Sequence, residues 1–258
     1  MWISADKMAE KYPNFSSYVY CKQNPINRTD PDGNTDRFNI NGGYVNSTLD
    51  GKHDIVILDG GTEKPFSSIQ THGIFNWNER NAAENIIGFY ANSAGINENI
   101  DVQGRIEEGT AGEYDPLFGD INFVSSGKGG LMPTLNNYCN LLSVLEHEHL
   151  HKINGDTKTY SDHANVYLLQ MTKGKYFKFT SQNFKYSTII QFMARLEKAK
   201  SLGESGYKEL INIYNNSNQG FTIKERDSGG MVLFDKNGGD VTPPQILNAI
   251  SAIHKPQD

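Results

Sequence analysis

Leu145-Glu-His-Glu-His-Leu-His151 concentrates more acid–base and metal-binding chemistry than any other stretch of this 258-residue chain. Within it His147, Glu148 and His151 match the pattern H-E-x-x-H. Side chains four apart on a helix project from one face, so both imidazoles can reach one metal ion. The glutamate after the first histidine can then act as general base toward zinc-activated water. With 7 histidines and 14 glutamates in the chain, chance placement yields this pattern in roughly one such sequence per hundred. The bland alternative is a solvated, His-rich helix face on which Glu146 and Glu148 balance the histidines.

Helical phase favours the metal reading. At ~100° per residue from Leu135, the apolar set Tyr138, Leu141, Leu142, Leu145 and Ile153 clusters between roughly 240° and 360°. His147 falls near ~120°, His151 near ~160° and Glu148 near ~220°, so the pair faces a cleft while the opposite face packs. His149, near ~320°, falls inside the apolar stripe and reads as a structural core histidine. A hydrolytic zinc site needs a third protein ligand. The extended pattern HExxHxxGxxH fails, because Asn154 and Thr157 stand at its last two positions. No glutamate occurs between Glu148 and Glu197. His163 is the favoured third ligand, twelve residues past His151, with Asp162 and then Asp156 as alternatives. A carboxylate beside a ligating histidine would serve as its hydrogen-bond partner.

The elements that must position these groups are legible in outline. His53 to Leu58 reads as a buried strand closed by Asp59-Gly-Gly61. Asn81 to Tyr90 has helical spacing, and Asp120 to Ser126 alternates as a half-buried strand. One helix is expected from Thr134 to Ile153, with Pro133 before it and Asn154-Gly155 after it. A second helix, Ser161 to Met171, takes Ser161 as its cap. Thr188 to Leu202 and Gly206 to Tyr214 are further helices. Phe221 to Phe234 reads as a hairpin, and Pro243 to His254 as a last short helix. Lys173 to Lys185 reads as a solvated strand or loop. The glycine pairs lack the strand–helix context of phosphate loops and read as turns. His53 and His72 are isolated and read as local hydrogen-bonding residues.

The order strand, glycine turn, HExxH helix, second ligand-bearing helix over Asp120 to Met171 resembles a zincin metallopeptidase. The resemblance implies an α+β, zincin-like fold with a small mixed sheet, and peptide-bond hydrolysis with Glu148 shuttling the proton. It also implies that the strand beside the active helix, here Ile121 to Ser126, binds substrate main chain by edge pairing. An oxyanion needs a further donor. Tyr160 and Tyr167 suit by type and proximity, though packing is the plainer role for each.

Residues 1 to about 33 differ in character. They are rich in turn dipeptides (Asn24-Pro25, Asp30-Pro31, Asp32-Gly33) and too short to bury a core alone. Ala9-Glu-Lys-Tyr-Pro13, Tyr18-x-Tyr-Cys21, Asn24-Pro-x-Asn27 and Asp30-Pro-Asp-Gly33 resemble the end of the Rhs repeat-associated core. The resemblance covers about an eighth of the chain. It implies that residues 34–258 are a variable C-terminal effector or toxin domain, made in a bacterial cytoplasm and delivered to a target cell. It further implies a cognate immunity protein as partner.

Composition narrows the function classes. The chain is 37% hydrophobic and 21% charged with a net charge of −6, ordinary for a globular protein and unsuited to a general phosphate-binding surface. Nucleic acid is therefore not an expected partner. No apolar run reaches the length of a membrane span. Met1 to Pro13 carries charges where a signal peptide needs an apolar core, so no ordinary secretion signal is expected. Cys21 and Cys139 exclude a disulfide scaffold and are both expected to be reduced. The reading is thus a zinc metallopeptidase with His147, His151 and His163 on the metal and Glu148 as catalytic base, acting on a protein or peptide. Its rivals are a zinc amidase of cell-wall peptides and a metal-stabilised binding module without catalysis.

Overall fold

The computed structural model describes residues 34–107, 109–155, 158–226, 230–235 and 238–241. The N-terminal segment 1–33, Asp156, residues 227–229 and the expected helix at 243–254 lie outside the described residues. The elements run β1 (Thr35–Asn39), β2 (Tyr44–Thr48), β3 (Ile55–Asp59), β4 (Thr62–Pro65), α1 (Trp77–Ala94), β5 (Asn99–Ile106), β6 (Glu113–Asp115) and β7 (Asp120–Ser125). They continue with α2 (Tyr138–Asn154), α3 (Tyr160–Lys173), α4 (Gln182–Ser201), α5 (Tyr207–Asn216), β8 (Phe221–Glu225) and β9 (Met231–Asp235). This is the expected α+β class, with small mixed sheets and five helices among the described residues.

The first sheet has the order β2-β1-β3-β4, parallel between β1 and β3 and antiparallel at both edges. The second, β5-β7-β6, pairs β7 parallel with β5 and antiparallel with β6. A separate hairpin joins β8 to β9. Ala82, Ala83, Ile86, Ile87, Tyr90 and Ala91 form the buried face of α1, which extends beyond the expected 81–90 at both ends. Gly95, at φ 76°, closes it in the left-handed conformation that glycine adopts without strain.

β7 departs from the half-buried alternation expected of it: Ile121 to Ser125 are all buried. A central strand covered on both faces reads as a continuous run, not as an alternation. One of its edges is paired with β5 from Asp120 to Ser125, and the other with β6 from Asp120 to Asn122. The edge strands of this sheet are β5 and β6.

The expected helix at Thr134–Ile153 is broken near its start. Pro133–Asn136 forms a 3-10 turn, and α2 begins only after Asn137, whose side chain accepts the Asn140 amide. An asparagine that satisfies an orphan N–H starts a helix more effectively than it continues one. Ile153, assigned to the apolar stripe, is exposed because the last turn of α2 runs past the core.

α3 is capped by Thr159, not Ser161. Thr159 Oγ1 accepts from the Asp162 amide at 3.0 Å, and an Asp162 carboxylate oxygen accepts from the Thr159 amide at 3.1 Å, a reciprocal capping box. Asn140 on α2 fixes the start of α4: its Oδ1 accepts the Ser181 amide at 3.0 Å and its Nδ2 donates to the Ser181 hydroxyl at 3.2 Å. The stretch expected to be a solvated strand or loop instead carries a 3-10 turn with Phe177 buried, then the start of α4. Glu146 holds it by accepting the Lys175 and Tyr176 amides. That explains one of the two glutamates flanking His147 without any catalytic role.

Candidate metal centre

α2 and α3 pack against each other, and their contact brings three imidazoles together. His147 and His151 come from α2 and His163 from the first turn of α3. One ring nitrogen of each lies within 4.8 Å of the others. The Nε2 atoms of His147 and His151 are 3.2 Å apart. All three line a cavity of about 430 Å³, near the lower end of the roughly 300–1,000 Å³ usual for ligand sites.

The buried Gln170, one turn beyond Tyr167 on α3, orients the centre. Its Oε1 lies 3.0 Å from His147 Nδ1, and its Nε2 donates to the Ser143 carbonyl at 2.9 Å and hydroxyl at 3.0 Å. Because both amide protons are engaged, Oε1 must be the acceptor. Nδ1 therefore carries the imidazole proton, and Nε2 offers its lone pair to the cavity. Burial pulls His147 well below the ordinary histidine range, and the neighbouring His151 and His163 add to it. Burial also lowers His151, and brings His163 to about 4. Three neutral imidazoles aimed at one point suit a divalent first-row metal with one position left open. These residues fit such an ion.

Glu148 is buried at the same cavity. Desolvation pushes its carboxyl up to about 8, against the opposing hydrogen bond from the Tyr114 backbone. That amide donates to Glu148 Oε2 at 2.9 Å, while Oε1 makes no hydrogen bond among the described residues. Since residues alternate along β6, the Tyr114 amide points away from β7, toward the free edge of the sheet. Gly112 is needed alongside: a Cβ there would stand 3.0 Å from Val144 Cγ1 and 3.5 Å from Glu148 Cγ.

The other expected residues fall into place unevenly. Asp162 is spent on the α3 capping box, and Asp156 lies outside the described residues. His149 stays out of the histidine cluster, but it is no core residue. Its side chain is 32% exposed and bonded through Nδ1 to Glu98 Oε1 at 2.6 Å. Lys152 approaches the same buried oxygen at 3.2 Å. The wide apolar stripe of α2 thus ends in an ionic contact with the start of β5. Tyr160 is exposed beneath the Lys198 ammonium and does not line the cavity. Tyr167 does line it, stacked on His163 with ring centroids 5.2 Å apart. His53 bonds to the Tyr138 hydroxyl and His72 to the Gly104 carbonyl, so both are hydrogen-bonding residues as expected, but with partners 85 and 32 residues away rather than local ones. Cys139 is a buried free thiol, pushed up to about 12 by burial.

Sequence reasoning missed Gln170, the Tyr114 amide and Arg195, which lines the cavity from α4. Only Gln170 left a signal. Positions 163, 167 and 170 follow helical spacing, so a polar residue was due on the face carrying His163 and Tyr167.

Against known families, the model described as metallopeptidase toxin 2 matches residues 36–224. The chain belongs to the metallopeptidase toxin 2 family. No curated protein and no solved structure matches it. Membership makes the chain a peptidase of the metal-dependent kind with a protein substrate, and the three-histidine cluster is a place where its ion can sit. No helix among the described residues is long and apolar enough to cross a membrane.

Proposed function

We propose that this toxin is a zinc peptidase of the HExxH type, with His147, His151 and His163 as ligands and Glu148 as general base. The observation that carries the reading is the convergence of three neutral imidazoles beside a buried carboxylate, inside one cavity. When bound there, zinc polarises the peptide carbonyl and makes water a nucleophile at neutral pH. The protein supplies the rest. Gln170 holds His147 in the tautomer whose Nε2 is a lone pair. The Tyr114 amide holds Glu148 Oε2, leaving Oε1 to take a proton from water and pass it to the departing amine. The phenol of Tyr167, pushed up to about 12 mainly by burial, stays protonated and can donate to the developing oxyanion. Of the two edge strands of the sheet, β6 borders the cavity, and substrate main chain would pair along it beside the Tyr114 amide that Glu148 already holds. Residues 34–258 would form the cargo domain following an Rhs-type core segment, with an immunity protein as its protective partner.

The test is metal content per chain, by elemental analysis of protein purified without chelator. Wild type and Glu148→Gln should hold near-stoichiometric zinc, while His147→Ala and His163→Ala should lose it. A wild type that binds no metal after zinc is added back would refute the reading. Zinc retained in His163→Ala would move the third ligand elsewhere. Cleavage of proteins, set against peptidoglycan fragments, separates a peptidase from a cell-wall amidase.

A further inference from the structure

Arg195 plays no part in the chemistry above, yet its setting is unusual for a guanidinium. It lines the cavity from α4, and no carboxylate pairs with it and no hydrogen bond holds it among the described residues. Ser187 and Gln191 line the same wall and are likewise without partners there, whereas the Thr188 hydroxyl is spent on the Phe184 carbonyl at 2.9 Å. Ser187, Gln191 and Arg195 are spaced four apart, so they form one stripe about 12 Å long on the helix. Arg195 is the only Lys or Arg among the described residues lining the cavity. Of the three carboxylates in the lining, Glu107 and Glu113 are paired with Arg105 and Glu148 is held by the Tyr114 amide, and none of them makes an ion pair with Arg195.

Arg195 lines the same cavity as His147, His163 and Tyr167. A metal ion on those histidines would add positive charge on the same side. A cation left unpaired beside another is costly in a partly desolvated cleft, so the arrangement calls for an anion from outside. We propose that Arg195, with Gln191 and Ser187 beside it, forms a subsite for a carboxylate of the substrate, either an acidic side chain or a free C-terminus. The subsite rests on the peptidase reading of the cavity. A ground-state carboxylate fits better than the transient oxyanion. The stripe extends over several substrate positions, and Tyr167 already offers a neutral donor near the histidines.

The experiment uses the full chain carrying Glu148→Gln, loaded with zinc, so that bound peptides are not cut. Fluorescein-labelled peptides are titrated by anisotropy in three sets. One is neutral and C-terminally amidated; one carries a single Glu scanned along the amidated chain; one is neutral with a free C-terminus. At least one carboxylate-bearing set should bind about ten- to a hundred-fold more tightly than the neutral amides. That margin should vanish on adding Arg195→Gln and return in part with Arg195→Lys. Whichever set shows the margin identifies the source of the carboxylate. No margin, a margin that survives Arg195→Gln, or equal weakening of all three sets would each overturn the subsite. Zinc content is measured in parallel. Protein without zinc that still shows the margin would keep the subsite and remove the peptidase reading instead.

Discussion

Glu148→Gln should abolish peptide cleavage and yet make the metal-free chain more stable, by an amount that grows with pH. The carboxyl ionises near 4.5 when unfolded and only near 8 when folded, because burial strips its water. Between those values the folded state binds more protons than the unfolded one, so stability contributed by this group falls as pH rises from 4.5 to 8. Glutamine does not ionise and escapes that loss. Integrating the linkage gives an advantage for the variant of about 1 kcal/mol at pH 5 and about 3 kcal/mol at pH 7. Any fixed cost of seating the amide cancels in the difference, leaving an increase of roughly 2–3 kcal/mol across that interval. For a chain of this length that is a Tm difference widening by roughly 5–10 °C. Thermal unfolding of both proteins, in chelator, between pH 5 and 8 measures it. A difference flat across that range would show that Glu148 titrates as an ordinary carboxylate, refuting the desolvation argument. Zinc loading should narrow the gap, because a cation nearby favours the ionised form.

Three further outcomes follow from the same geometry. Gln170→Leu removes the acceptor that fixes His147, and zinc affinity in a chelator competition should fall about 10- to 100-fold with the fold intact. Asp162→Ala breaks one half of the α3 capping box. It should lower stability by about 1 kcal/mol while leaving zinc stoichiometry unchanged, the opposite pattern from His163→Ala. Acid should release the metal as protons compete for three imidazoles that must stay neutral. In the metal-free chain the depressed pKa of His163, about 4 against 6.5 unfolded, makes stability fall as pH drops through that window. In the Glu148→Gln background, where the opposing titration of Glu148 is gone, melting curves that do not change between pH 6.5 and 4 would count against that burial.

Local features of this protein could be read without its fold. The pairing of His147 with His151 is a consequence of helical pitch alone, and the buried strand β3 and the helix α1 follow from short apolar periods. Even so, local reading overran where two local signals competed. Asn137 ended the turn and started α2 afresh, and Thr159 took the cap assigned to Ser161, because Asp162 could answer it. What only the tertiary structure decided is who meets whom across long separations. The packing of α3 on α2 brought His163 rather than Asp162 to His147 and His151, and put Gln170 behind them. The middle position of β7 left β6 as the edge strand at the cavity and set the Tyr114 amide against Glu148. Glu98 drew His149 out of the core, and α4 laid Arg195 along the cavity wall. Periodicity records which face of an element avoids water, but not which other element covers that face. The partners of a buried polar group are therefore settled only when the chain closes on itself.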